Sequence, residues 1–185
     1  MSNLLDLRIA ARANCPHEHA GIIRSYYPFW DAQYRPYLLA AVDALPGEHF
    51  DFKPRPDMLT ARQIVVHLAE AEVAWNRILD HGPEVDSPEW VAPADDTADG
   101  WRTVIDAPDH ATLHRLLAGA HEATQARFSR PAAELGQVLQ RRFPDGVERT
   151  YTVHWILDHV QEHEIHHRAQ LNLYLRMLGI EPPSI

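Results

Sequence analysis

The residues of this sequence best equipped for chemistry are histidines, and five of its thirteen fall between His154 and His167. Within the run His159-Val-Gln-Glu-His163-Glu-Ile-His166-His167-Arg168-Ala169-Gln170, His163 and His167 are one helical turn apart. At about 100° per residue, with His163 at zero, His167 falls at roughly 40°, His159 at roughly −40° and His166 at roughly −60°. Ile156 and Tyr174 lie near the middle of the same arc and Val160 and Leu178 just beyond it, so His163 and His167 project into an apolar stripe. A buried imidazole needs a partner, and two rings at i, i+4 can be satisfied together by one metal ion. Zinc, nickel, iron and copper all accept neutral imidazole, and spacing does not choose between zinc and nickel.

Two ligands from one helix do not close a coordination shell. A third histidine, His67, sits in the apolar face Ile64, His67, Ala71, Ala74, Trp75, Ile78 of an earlier helix. Three imidazoles leave a position open to water or substrate, the arrangement of a catalytic rather than a structural zinc site. The plain alternative is core histidines bonded to one another, to tyrosine hydroxyls or to backbone. That alternative suits a lone histidine better than a pair plus a third on a second core face.

The margins of the site carry weaker expectations. His166 and Gln170 are candidate helpers, able to brace a ligand imidazole, pass a proton or meet substrate; for Gln170 an interhelical hydrogen bond is the plain alternative. His159 is equally a flank residue. Glu162 and Glu164 read as flanking charges, and Glu72 as a residue facing water. Trp75, Trp155 and Tyr174 read as core aromatics. No side chain beyond these is singled out as catalytic.

Four helical segments must position these groups. Phe29 to Ala44 carries Trp30, Tyr34, Tyr37, Leu38, Ala41 and Val42 at three- and four-residue steps, with Pro28 at its start; Pro36 inside it predicts a kink or a start further downstream. Leu45-Pro46-Gly47 ends it, and Phe50 to Asp57 reads as an extended connection. Thr60-Ala-Arg-Gln63 matches a capping box for the His67 helix, and His81-Gly82-Pro83 supplies its stop. Glu84 to Gly100 reads as a long loop near the mouth of a site. A third helix is expected from about Pro108 to Phe128, capped by Asp106 or Ala107. Val138 to Phe143 and Val147 to Val153 fit a small hairpin around Asp145-Gly146. Thr152 is the candidate cap of the last helix, which stops at Gly179 before Pro182-Pro183. The architecture expected is an all-α four-helix bundle with crossover connections, a single domain over residues 1–185 in which 1–26 form an extension or extra helix.

Composition narrows the function. A formal net charge of −9 without a basic stripe argues against nucleic acid as partner. No apolar run is long enough to span a bilayer and no secretory signal is evident, so the expectation is a cytoplasmic protein without a membrane partner. The single cysteine, Cys15, excludes an intramolecular disulfide framework and a thiolate-rich zinc site, and its place offers no role as nucleophile.

Two stretches resemble the DinB family of bacterial four-helix proteins. One runs from Leu45 to Trp75, with Leu45-Pro46, Phe52-Lys53-Pro54 and a helical His67. The other is His163-Glu-Ile-His166-His167-Arg168-Ala169-Gln170 followed by Tyr174-Leu-Arg176-Met-Leu-Gly179. The resemblance covers Phe29 to Gly179; Ala169 stands where the family commonly has glycine, another small residue. It implies a DinB/YfiT-like crossover bundle, often a homodimer, with His67, His163 and His167 as metal ligands. It leaves activity open, since related proteins include metal-dependent thiol transferases and isomerases that use a low-molecular-weight thiol. The functions expected are therefore a metal-dependent enzyme that activates a thiol or water against a small electrophile, a metal-dependent hydrolase of a small amide or ester, or a non-catalytic metal-binding stress-response module. The cofactor expected is a divalent metal ion, zinc or nickel, with a low-molecular-weight thiol as a candidate cosubstrate.

Overall fold

The computed structural model describes residues 20–81, 109–142 and 148–184. Cys15, the Glu84–Gly100 loop, Pro108 and the Asp145-Gly146 turn lie outside the described residues. Among the described residues four α-helices form the bundle: α1, Arg35–Asp43; α2, Ala61–His81; α3, His110–Phe128; and α4, Val153–Met177. A π-helical turn, Trp30–Tyr34, leads into α1. Pro36 thus falls in the first turn of α1, where its missing N–H is not needed, and the α-helix starts downstream of Phe29, part-way along the apolar pattern.

The other boundaries follow local chemistry. Thr60 Oγ1 accepts from Gln63 N at 3.1 Å and Gln63 Oε1 accepts from Thr60 N at 2.8 Å, a reciprocal capping box that satisfies two orphan donors of α2. The cap of α3 is Asp109, rather than Asp106 or Ala107, because its Oδ1 accepts from Thr112 N at 2.7 Å. Thr152 caps α4 through Trp155 N at 3.1 Å. At the far end Gly179, at φ +76°, lets Ile180 N reach Leu175 O at 2.9 Å and Gly179 N reach Arg176 O at 3.0 Å. That left-handed turn closes the last carbonyls of α4 and favours glycine. The segment after α1 is more turned than an extended connection, with a 3-10 turn at Gly47–His49 and Phe52 N bonded back to His49 O at 2.9 Å. The hairpin forms, β1 (Val138–Arg142) pairing antiparallel with β2 (Glu148–Thr152).

Pairings between helices fix the topology. Leu59 meets Tyr174, His67 meets His163 and Trp75 meets Trp155, so α2 and α4 are antiparallel. Glu72 pairs with His121, Asn76 with Thr124 and Asp80 with Arg127, so α2 and α3 run parallel. Asp31 meets His121 and Asp43 meets His114, setting α1 antiparallel to α3. The order is up-down-down-up. The chain leaving α2 at His81 re-enters at the end where α2 began, which is the crossover.

The interior is layered along the bundle axis. One apolar cluster gathers Leu38, Val42, Ile64, Leu68, Leu117 and Leu175. A second gathers Trp30, Ile78, Phe128, Leu139, Ile156 and Val160 around the hairpin end. Between them, at the level of Arg35, Glu72, His121 and Glu164, the core is polar. Each large apolar side chain buried in the two clusters contributes about 1.5–3 kcal/mol, and this burial frames a layer that stabilises less and positions more.

Candidate metal centre

The antiparallel register of α2 on α4 places His67 opposite the His163–His167 turn. Tyr174 Oη donates to Leu59 O at 2.9 Å on one side. On the other, Trp75 packs edge-on to Trp155 and Tyr151. Between these fixed points His163 Nε2 stands 3.0 Å from His67 Nε2 and 3.0 Å from His167 Nε2. Ring nitrogens of all three lie within 4.8 Å of one another. His167 is buried, while His67 and His163 are half-buried at the rim of the helix pair.

Three imidazole nitrogens within 4.8 Å of one another are a set that could hold a metal ion. A tetrahedral ion with bonds of about 2.0–2.1 Å sets its nitrogens about 3.3 Å apart. The two 3.0 Å separations need only a small adjustment to reach that spacing, while the third pair, His67 and His167, is held only to within 4.8 Å and must be drawn to it as well. Hydrogen bonding alone serves the same group poorly, because one Nε2 of His163 must answer two neighbours.

Protonation also suits metal binding. Burial, reinforced by the neighbouring rings of His167, His67, His159 and His166, pushes His163 down to about 3. Burial likewise lowers His167 to about 4, against the opposing pull of its hydrogen bond to Gln170. Both rings are neutral at pH 7, the form that ligates.

Gln170 is placed as a brace within α4 rather than as an interhelical bond. Its Oε1 accepts from His167 Nδ1 at 2.7 Å, and its amide nitrogen donates to His166 Nε2 at 3.1 Å. That pairing puts the proton of His167 on Nδ1 and leaves Nε2 with its lone pair toward His163. His166 itself is exposed. His159 stacks on Trp155 with ring centroids 4.9 Å apart and an 8° interplanar angle. Trp75 stands edge-on 5.0 Å away, so His159 belongs to an aromatic wall beside the triad. Trp155 and Tyr174 are core, as expected, and Trp75 is half-buried.

Two expectations about carboxylates are corrected. Glu72 does not face water and Glu164 is not a flanking charge; each is 3% exposed. Glu164 Oε2 accepts from Trp30 Nε1 at 3.0 Å and pairs with Arg35 Nη2 at 3.0 Å. Glu72 Oε2 accepts from Arg35 Nη2 at 2.6 Å, and its Oε1 is bonded by His121 Nδ1 at 2.6 Å and Thr124 Oγ1 at 2.7 Å. His121 Nε2 continues to Asp31 Oδ1 at 2.7 Å. Burial would raise the Glu72 carboxyl, yet the His121 hydrogen bond and the charges of Arg35 and His121 hold it low. For Glu164 burial wins over Arg35 and Trp30, and its carboxyl is pushed up.

Glu164 escapes a one-face reading because α4 is buried on two sides. Its second buried arc, roughly 60–140° from His163, holds Val160, Glu164, Arg168, Leu171 and Leu175 against the α1 side of the bundle. The signal was present: Glu164 stands one turn from Val160 and two from Leu171 on a helix already assigned a core face.

A DinB family model matches residues 25–185, and the chain belongs to the DinB family. Among the solved structures similar to it are two DinB-like proteins. A DinB-like protein from Bacillus subtilis, YjoA, is 20% identical with a TM-score of 0.57, covering 82% of this chain and 90% of its own. A DinB-like protein from Bacillus cereus is 16% identical with a TM-score of 0.59, covering 89% of this chain and 97% of its own. At these identities the likeness shows the fold. No curated protein matches the chain. No helix among the described residues is long and apolar enough to cross a membrane.

Proposed function

We propose that this protein binds a divalent metal ion, zinc or nickel, through Nε2 of His67, His163 and His167, and acts as an enzyme on a small electrophile. The observation that carries the reading is the gathering of three ring nitrogens, two of them held neutral, within 4.8 Å of one another on the α2–α4 seam. Bound there, the ion supplies a Lewis acid that lowers the pKa of a thiol or water taking the remaining position. His67 and His163 reach the rim of the bundle, so that position can be entered from outside. Gln170 holds His167 in its ligating tautomer and bonds the exposed His166, the group we assign to take up a proton from the site. The Trp75–Trp155–His159 wall limits water on one side. A low-molecular-weight thiol as cosubstrate makes the reaction an S-transfer; water in its place makes it hydrolysis of an amide or ester.

The test is elemental analysis of the untagged protein and of His163→Ala, with both assayed for thiol transfer and hydrolysis on a broad panel. Stoichiometric metal and activity, both lost in His163→Ala, is the expected result. Loss of metal with unchanged activity would remove the enzyme reading and leave a metal-binding module.

A further inference from the structure

A water-sized cavity lies in the polar layer beside the triad. Its walls include Leu68 and Val160, and its polar groups come from Arg35, Glu72, Glu164 and His163. Two buried atoms of these residues, Glu164 Oε1 and Arg35 Nε, have no hydrogen-bond partner among the described residues. The other oxygen of Glu164 is fully engaged by Trp30 and Arg35. A buried carboxylate oxygen left unbonded is costly, and a polar cavity of this size beside it is where internal water resides, making about three hydrogen bonds. His163 also lines the cavity, and with Nε2 spent on the triad its remaining ring nitrogen is Nδ1.

We infer that one water in this cavity links His163 Nδ1 to Glu164 Oε1, making Glu164 the positioning residue of His163. The inference rests on the metal reading above. The Nδ1–H of His163 donates to the water, and the water donates to Glu164 Oε1. This places the proton of His163 on Nδ1 and its Nε2 lone pair toward the metal. Each α4 ligand then has its own outer partner: Gln170 for His167 directly, Glu164 for His163 through water. Through Arg35 and Glu72 the same water ties the triad to α1.

Cobalt(II) titration, read by its visible ligand-field absorption, tests the link on the wild-type chain, Glu164→Gln and Val160→Ile. The isoleucine methyl fills the cavity while leaving Glu164, Arg35 and Trp30 in place, so it probes the water even where Glu164→Gln misfolds. We expect both variants to weaken cobalt binding about 10-fold and shift its absorption band, with the metal-free melting temperature of Val160→Ile close to wild type. Wild-type affinity and spectrum in Val160→Ile would overturn the water link, whatever Glu164→Gln does. Cobalt binding that is absent from the wild type, or undiminished in His67→Ala, would instead remove the metal reading itself and this inference with it.

Discussion

His67 Nε2 on α2 lies 3.0 Å from His163 Nε2 on α4, although the two residues are 96 positions apart in sequence. The contact exists because α2 and α4 run antiparallel in one register, pinned by Tyr174 on Leu59 at one end and Trp75 on Trp155 at the other. The site is therefore a property of the helix pair, and its consequences can be measured.

Metal should stabilise the fold. An ion that binds only the folded chain contributes about 2.7 kcal/mol at a hundred times its dissociation constant, a rise of roughly 5–10 °C in melting temperature for a chain of this length. Differential scanning calorimetry with and without zinc or nickel should show it for the wild type. His67→Ala should lose it.

Acid should act on the metal-free protein in a defined window. His163 and His167 are lowered to about 3 and about 4, from 6.5 in the unfolded chain. As pH falls below about 6.5, the unfolded chain takes up protons that the folded one refuses. Stability contributed by these two rings is thus complete above pH 6.5 and lost progressively toward pH 3–4. Proton NMR should find their ring signals unmoved between pH 8 and pH 5, and urea titrations should show falling stability over the lower part of that range.

Gln170→Leu should separate orientation from folding. Among the described residues the amide bonds within α4, to His167 and His166. Its loss frees the His167 ring and should weaken zinc about 10–100-fold by competition with a chromogenic chelator, while the metal-free melting temperature stays near wild type.

Arg35→Met should be severe. It leaves Glu72 and Glu164 as neighbouring buried carboxylates without their shared cation. Breaking a buried pair in this way costs about 3–5 kcal/mol, readable by urea unfolding. Arg55→Met, which removes an ion pair open to solvent, should change stability by no more than about 1 kcal/mol.

Much of this was legible in the sequence because it is local. The 3.6-residue period marks α2 and α4, Thr60 and Thr152 cap them through their own hydroxyls, and Gly179 closes the last turn. The spacing of His163 and His167 and the apolar setting of His67 depend on the same short-range geometry. Tertiary structure decided the rest. Nothing local states that α2 and α3 run parallel, or which helices flank α4. A helix packed on one neighbour buries one stripe; α4 is packed on α1 and α2, so its buried arc widens to take in Glu164 and Arg168. Glu72 is buried for the same reason, α3 covering the side of α2 away from His67. The sequence alone determined which side chains could ligate, while helix order and packing decided that they meet and which charges are enclosed beside them.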